Sequence, residues 1–238
     1  MNISTITLPA SVIQPTFNRD ALLPRIVHLG FGAFHRAHQA LITNEMLEKT
    51  GSNWGVCEIN LFGGEDLIHS LREQNHLYTV MEKGENKNTV KLIGSVIESI
   101  HPQLESSDTV LAKMAEEQVA IVSMTITEKG YCCDPNTGQL DSENRLIQHD
   151  VQSPRSPQSA IGYIVEALRL RKETGITPFT VMSCDNVQNN GKVAKAAVIG
   201  FAKLVDQNLA EWIEANVTFP CTMVDRIVPA ITDETLAQ

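Results

Sequence analysis

The chain has 238 residues, of which 42% are hydrophobic and 20% are charged, and its formal net charge is −9. This composition is typical of a globular protein with a full hydrophobic core. The acidic balance argues against general nucleic-acid binding, which needs a basic surface, and no apolar run approaches the roughly 18 residues of a membrane span.

The five cysteines are an odd number and include no Cys-x-x-Cys pair. They are interpreted as reduced thiols, which predicts a cytoplasmic protein. Their spacing does not suit a zinc site, so no metal is expected. Residues 1–15 have neither a basic start nor a long apolar stretch and are not expected to be a secretory signal.

Apolar patterning divides the chain into an irregular lead-in, residues 1–24, and one α/β domain, residues 25–238. Strands are predicted at 25–29, 54–61, 119–126, 178–183 and 222–228, and a β-hairpin at 77–81 and 89–97. Helices are predicted at 33–49, 65–75, 108–117, 159–172, 192–205 and 208–215, and a polar surface excursion at 131–157. This alternation predicts a doubly wound, mostly parallel Rossmann-like sheet with an inserted β-hairpin.

The turn after the first predicted strand has the spacing Gly30-x-Gly32 and leads directly into a helix. Strand, glycine turn and helix together present backbone N–H groups and a helix N-terminus to a pyrophosphate. The usual third glycine is missing, because His35 stands at its position. From the residues alone, the turn is either a dinucleotide loop or an ordinary tight βα turn.

Polar clusters follow the other predicted strands, at the edge where an α/β sheet binds its ligands. Asn186 follows one strand and is a candidate to donate its amide to a carbonyl oxygen on which charge develops. Asp185 and Asn186 have a second interpretation as caps of the next helix. No convincing proton-transfer residue is found, and Lys129 is the nearest candidate.

Three further polar pairs also have structural interpretations. Glu128 and Lys129 fit a solvated turn, and Asp225 with Arg226 fits an ion pair at a strand end. His35 and the histidine three residues later could share a helix face. No third ligand is evident near them, so packing is favoured over metal binding.

Taken together, four segments resemble the mannitol dehydrogenase family over nearly the whole chain. The segments are residues 28–39, 125–131, 183–191 and 223–229. The resemblance implies a metal-independent oxidoreductase that uses NAD and acts on a small sugar acid or polyol.

The resemblance also implies roles for individual residues. Seven consecutive positions match the family's dinucleotide loop, which itself has histidine in place of the third glycine: Gly30, Phe31, Gly32, Ala33, Phe34, His35 and Arg36. Asn186 matches an asparagine that helps to hold the substrate oxygen. Asp225 lies in a matched motif near the cofactor.

A carboxylate after the second strand is expected to select NAD over NADP, since it accepts from the ribose 2′-OH and repels a 2′-phosphate. Glu65 or Asp66 falls in this region, and Glu58, inside the strand, is the competing candidate.

The family's second, mainly helical domain carries a catalytic lysine in a Lys-x-x-x-Leu-Asn-x-x-His pattern, which these 238 residues do not contain. The chain is therefore expected to be the cofactor-binding half of such an enzyme and not to turn over by itself. Its docking face is expected to be exposed and apolar and to promote self-association. A non-catalytic nucleotide-binding module is the alternative.

Overall fold

A computed structural model describes residues 7–134, 137–230 and 232. The strands in this part are β1 (Val12–Ile13), β2 (Leu23–Leu29), β3 (Trp54–Ile59), β4 (Tyr78–Lys83), β5 (Asn88–Ile93), β6 (Val96–Ile100), β7 (Ile121–Met124) and β8 (Thr180–Ser183). The helices are α1 (Ala33–Ala37), α2 (Gln39–Thr50), α3 (Glu65–Glu73), α4 (Ser107–Ala115), α5 (Thr127–Gly130), α6 (Arg145–Gln152), α7 (Ala160–Thr174), α8 (Asn190–Val205) and α9 (Gln207–Asn216). The start of the predicted lead-in, residues 1–6, and the end of the predicted domain, residues 233–238, lie outside the described residues.

The main sheet has five parallel strands in the order β6-β3-β2-β7-β8. Counted along the chain, this is the order 3-2-1-4-5 of a Rossmann sheet, so the predicted doubly wound fold is confirmed. The strand order reverses between β2 and β7. A ligand crevice is therefore expected outside the carboxyl ends of these two strands, after Leu29 and Met124.

The predicted hairpin is also present, as antiparallel β4 and β5. Its second strand was predicted to continue to residue 97, but the chain turns at Gly94 and Ser95. The Gly94 N–H donates to Asn44 Oδ1 (2.8 Å), and the Ser95 carbonyl accepts from Val56 N–H (2.9 Å). Residues from 96 onward form β6 of the main sheet. The predicted irregular lead-in contains β1, which pairs with β5 in parallel.

Three other predicted elements differ. The single helix over 33–49 is two helices, because His38 adopts a non-helical backbone (φ −117°, ψ −94°) between them. The helix predicted over 108–117 begins one residue earlier, and its cap is Ser106, whose hydroxyl accepts from Thr109 N–H (3.1 Å). The last predicted strand, residues 222–228, is extended chain without regular strand pairing.

The segment 131–157 is less superficial than its polar composition indicated. It contains α6, and its Tyr131, Ile147 and Asp150 are buried. The Asp150 carboxylate accepts from the Ser159 N–H and hydroxyl (2.9 and 2.6 Å). The Ser159 hydroxyl in turn caps α7, which ends at Gly175 in the left-handed conformation (φ +73°). The segment 131–157 therefore holds the start of α7, a helix of the hydrophobic core.

Two apolar clusters cover the faces of the main sheet. The larger lies under α4, α7, α8 and α9, and the smaller lies under α2, α3 and the hairpin. With both faces buried, only the carboxyl and amino edges and the loops of the sheet remain for ligands. None of the described helices combines the length and the apolar character that crossing a bilayer requires.

Candidate nucleotide-binding site

The glycine loop, residues 30–36, begins where β2 ends. Gly30 has φ +109°, and a Cβ there would lie 2.3 Å from the Thr125 carbonyl oxygen. Gly32 is different, because no atom lies within 4 Å of the Cβ it lacks. One glycine thus allows a close approach to β7, and the other leaves one side of the backbone open to a ligand.

Backbone N–H groups in the loop divide into bonded and free ones. The Phe31 N–H donates to Asn60 Oδ1 (2.6 Å), and the Gly32 N–H donates to the Gly30 carbonyl (2.8 Å). Gly32 begins α1 without a side-chain cap. The N–H groups of residues 33–35 have no acceptor among the described residues. These amides of the first turn are the ones available to a pyrophosphate.

Two of the larger side chains of the loop, Phe31 and Arg36, contact each other, and Phe31 also contacts the hairpin. Phe31 is buried and meets the ring of Tyr78 edge-on, with centroids 5.9 Å apart. The Arg36 guanidinium lies 5.4 Å from the centroid of the Phe31 ring. The backbone carbonyl of Arg36 accepts from the Tyr78 hydroxyl (3.1 Å). The hairpin strand β4 therefore holds the loop from one side. If Phe31 contributes to a cofactor site, it does so through its backbone.

His35 is fully buried beneath the loop. Its ring stacks on that of His28, with centroids 3.4 Å apart, and its Nε2 lies 2.6 Å from Glu58 Oε1. His28 lies beside Glu58 on β3 and beside Ser123 on β7. Its Nδ1 is 2.8 Å from Ser123 Oγ, and its Nε2 is 3.1 Å from the Gly30 carbonyl oxygen. The Glu58 carboxyl is thus enclosed, and in this arrangement it does not reach a bound ribose.

Burial drives both members of the His35–Glu58 pair toward their neutral forms. Desolvation lowers the pKa of His35 to about 3 and raises the pKa of Glu58 to about 8. Desolvation likewise lowers the pKa of His28. Charged and titratable groups near the pair on the surrounding elements include His28, Arg36, His38 and Tyr78. The neutral Glu58 carboxyl keeps its proton and donates a hydrogen bond to His35 Nε2.

These residues also place three potential metal ligands, on His28, His35 and Glu58, within 4.8 Å of one another. The two imidazole planes are only 15° apart, so their in-plane lone pairs run side by side and do not converge on one point. Both nitrogens of His28 also have hydrogen-bond partners. The geometry fits a hydrogen-bonded network and not a metal centre.

We expect Glu58 to make the protein less stable as the pH rises from 6.5 to 8. Unfolded Glu58 ionises near its ordinary value of 4.5, whereas the folded group keeps its proton to about 8, so stability falls over this range. His35 has the opposite slope, but only below its ordinary value of 6.5. The expected loss above that value is about 2 kcal/mol.

The variant E58Q keeps the shape of the neutral acid but has no group that ionises. Urea denaturation at pH 6.5 and pH 8 should therefore show a smaller change in the free energy of unfolding than in the wild type. E85Q, an exposed acid in the hairpin turn, serves as the control and should retain the wild-type slope. An E58Q profile as steep as that of the wild type would contradict a neutral buried Glu58.

Asp185 organises the carboxyl edge between β7 and β8. Its carboxylate accepts from the N–H groups of Ile126 (3.1 Å) and Thr127 (3.0 Å) and from the Tyr131 hydroxyl (2.7 Å). Thr127 has φ +63°, which is unusual for a β-branched residue. The Tyr131 oxygen also lies 2.5 Å from Ser183 Oγ. Asp185 therefore holds a strained turn instead of capping α8, whose cap is Asn189.

Asn186 is exposed beside this turn and so remains available to a ligand. The neighbouring asparagine with a structural role is Asn190, which is buried and exchanges hydrogen bonds with Thr222: Oδ1 accepts from its N–H (3.0 Å), and Nδ2 donates to its hydroxyl (2.9 Å). Gly191 fits beneath the same segment, since a Cβ there would lie 2.5 Å from the Pro220 carbonyl oxygen. Both residues lie in the segment 183–191 that carries the family resemblance, but no individual role was predicted for either.

A groove of about 550 Å³ lies between α1, β4 and residues 226–230. Arg36 lines it, and Arg226 forms an ion pair there with Glu82. The predicted pairing of Arg226 with Asp225 is wrong within the described chain, because Asp225 is exposed and its neighbour turns to the hairpin. Desolvation and the nearby Arg226 charge lower the pKa of His38.

The remaining candidates lie at the surface. Glu65 and Asp66 form the first turn of α3, directly after two glycines in the left-handed conformation. Glu65 is partly exposed, with its Oε1 4.0 Å from His101 Nε2, and Asp66 is exposed. Both carboxylates are open to a ribose, unlike that of Glu58. Glu128 and Lys129 are exposed on α5, as a solvated turn pair would be.

Comparison with known proteins agrees with this geometry. Residues 24–237 match the model of the mannitol dehydrogenase Rossmann domain. D-mannonate oxidoreductase of Escherichia coli K12 is 59% identical over 95% of this chain and 47% of its own length. A polyol:NADP oxidoreductase of Gluconobacter oxydans is 40% identical over 96% of this chain and 47% of its own length.

A solved structure of Pseudomonas fluorescens mannitol 2-dehydrogenase, a ternary complex with NAD and D-mannitol, superimposes with a TM-score of 0.90 at 38% identity. It covers 95% of this chain, which covers 46% of that structure. The chain thus spans about half the length of the curated relatives it matches. The extent of these matches shows that the chain belongs to the mannitol dehydrogenase family, of which it carries the Rossmann domain.

Proposed function

We propose that this chain is the cofactor-binding half of an NAD-dependent oxidoreductase that oxidises D-mannonate to D-fructuronate. The observation that carries the proposal is the glycine loop at the strand reversal of the sheet. Gly32 leaves the backbone open, and the amides of the first turn of α1 are free. The 59% identity to a D-mannonate oxidoreductase supports the substrate.

The residues present fit a nicotinamide dinucleotide. The free N–H groups of residues 33–35 would hold the pyrophosphate, and Glu65 or Asp66 would accept from the adenosine ribose. NAD supplies the hydride acceptor: the carbinol carbon of the substrate loses a hydride, and its hydroxyl loses a proton. The exposed amide of Asn186 donates to the substrate oxygen on which charge changes.

The proton of that hydroxyl needs a base, and the described residues at the carboxyl edge offer a weak one. Lys129 is exposed on α5, without a hydrogen bond that would aim it at Asn186. We therefore assign the base to the half of the longer relatives that this chain does not match. Because of this, the 238-residue chain should bind the cofactor without turning over.

Calorimetric titration of the chain with NADH tests the proposal. Saturable binding, together with no NADH-dependent reduction of fructuronate, is the expected result. Binding of S-adenosylmethionine but not NADH would overturn the proposal. Measurable turnover by the chain alone would contradict the assignment of the base to another part of the enzyme. A polyol 2-dehydrogenase is the second candidate, favoured by the 40% identity to a polyol oxidoreductase. Reconstitution with the second half of a longer relative, and assay with either mannonate or mannitol, separates the two.

We expect the chain to prefer NADH to NADPH through the carboxylates at the start of α3. Removing both charges in the double variant E65Q/D66N should leave NADH affinity within about threefold and raise NADPH affinity about tenfold. The control E73Q removes a charge from the far end of the same helix and should change neither affinity. Equal affinities for both cofactors in the wild type would contradict the assignment of Glu65 and Asp66.

The proposal also covers self-association and cellular location. Met223 and Ile227 are 88% and 92% exposed on the extended segment after α9. Exposed apolar side chains of this kind favour self-association, so light scattering at high concentration should detect species larger than a monomer. The five unpaired thiols support a cytoplasmic location.

A further inference from the structure

In a Gly-x-Gly-x-x-Gly turn, the third glycine allows the helix to pack closely against the sheet. This chain has His35 at that position, and a whole imidazole lies between α1 and the strands. The ring is 0% exposed and is covered by His28 of β2 on one face. Its Nε2 is held by Glu58 of β3 at 2.6 Å. The close contact of backbones is thus replaced by a contact between side chains.

The same contacts continue to the loop itself. His28, on which His35 is stacked, lies within hydrogen-bond distance of the Gly30 carbonyl (3.1 Å) and of Thr125 Oγ1 (2.9 Å). The Thr125 hydroxyl donates to the same Gly30 carbonyl (2.9 Å). A chain of contacts therefore runs from Glu58 through two imidazoles to the first glycine of the turn.

The pair has no substitute partners within the described chain. His35 Nδ1 and Glu58 Oε2 are buried without a hydrogen bond, so each residue depends on the one bond between them. Removing either side chain leaves a buried polar group of the other unsatisfied, which is more costly than never having had the bond. A packing histidine at a helix surface would not require such a partner.

We infer that His35 and Glu58 are positioning residues, which together set the height of the first turn of α1 above the sheet and so aim its free amides at the cofactor. The inference rests on the proposed function, because it concerns the same pyrophosphate. It assigns Glu58 a role in place of ribose binding. It also explains how a turn without the third glycine can still present a dinucleotide loop.

The variant H35G tests this directly, since it restores the full Gly-x-Gly-x-x-Gly pattern. If the third glycine were simply missing, H35G would bind NADH as well as the wild type or better. We expect the opposite, an increase in the NADH dissociation constant of about tenfold or more, because the pair is broken and Glu58 is left alone. H35Q, whose Oε1 can replace the imidazole Nε2 as the acceptor for the neutral Glu58 carboxyl, should stay within about threefold of the wild type.

A control separates positioning from general loss of stability. D150N weakens an equally buried carboxylate that holds the start of α7 and contacts no loop residue. It should lower the melting temperature while leaving NADH affinity unchanged in the folded fraction. Wild-type affinity in H35G, or equal loss of affinity in H35Q and H35G, overturns the inference. Failure of the wild-type chain to bind NADH would instead contradict the proposed function.

Discussion

The variant G30A is expected to lose about 3 kcal/mol of folding free energy, together with detectable NADH binding. An alanine Cβ at this position would lie 2.3 Å from the Thr125 carbonyl oxygen, which is main chain and cannot swing away. The backbone angle φ of +109° is itself unfavourable for any residue with a Cβ. Relief requires β2 and β7 to separate at the edge where the cofactor site is proposed. Urea denaturation and NADH titration measure the two losses.

Two matched glycine variants separate the causes. Gly51 ends α2 with φ +60° and open space around its missing Cβ, so G51A should lose only about 1 kcal/mol and keep its NADH affinity. Gly32 has ordinary φ and open space, so G32A should keep its stability. Its methyl group would nevertheless stand on the open side of the loop and weaken NADH binding about tenfold. If G32A bound NADH normally, the open face of Gly32 would not be the cofactor side.

The variant D185A is expected to destabilise the protein by about 3 kcal/mol, because three hydrogen bonds to a carboxylate are lost together. Two of them hold the consecutive N–H groups of residues 126 and 127, and the third holds the Tyr131 hydroxyl. Thr127 keeps its left-handed conformation against its own preference, so the turn should relax once the carboxylate is gone. Asn186 adjoins this turn, so substrate affinity in the reconstituted enzyme should fall as well.

Three companion variants test that account. Y131F removes one of the three bonds and should lose about 1 kcal/mol. T127G should gain up to about 1 kcal/mol by relieving strain, provided that Asp185 is present. D108A removes an exposed aspartate from the first turn of α4 and should change stability by less than about 0.5 kcal/mol. A loss in D185A no larger than that in D108A would show that Asp185 is not the organiser of this edge.

Much of the fold was predictable from local pattern. Gly30 and Gly32 between an apolar run and a helix indicated the central βα turn, and buried apolar runs indicated the parallel strands. The misses have physical reasons. Residues 89–97 were predicted to form one long strand, but the turn at Gly94 is enforced by Asn44 and Arg19, which are distant in sequence. The break at His38 is likewise a tertiary effect that helix propensity does not report.

For the candidate site, the sequence predicted the loop and the exposed carboxylates but not the network under them. Glu58 and His35 are 23 residues apart, and Tyr131 and Asp185 are 54 apart, so nothing local connects either pair. One signal was present: Glu58 is a charged residue inside a strand that is otherwise buried. Such a residue needs a partner, and one candidate was the histidine in place of the third glycine.

The chain after α9 runs along β8, which is the outermost strand on its side of the main sheet. The Val181 N–H donates to the Thr218 carbonyl (3.0 Å), and the Ser183 carbonyl accepts from the Thr222 hydroxyl (2.7 Å). Polar groups that would otherwise template an incoming polypeptide are already occupied. This flank of the molecule should therefore resist intermolecular strand addition and the amyloid-like aggregation that follows from it, even where contacts between apolar side chains bring two copies together.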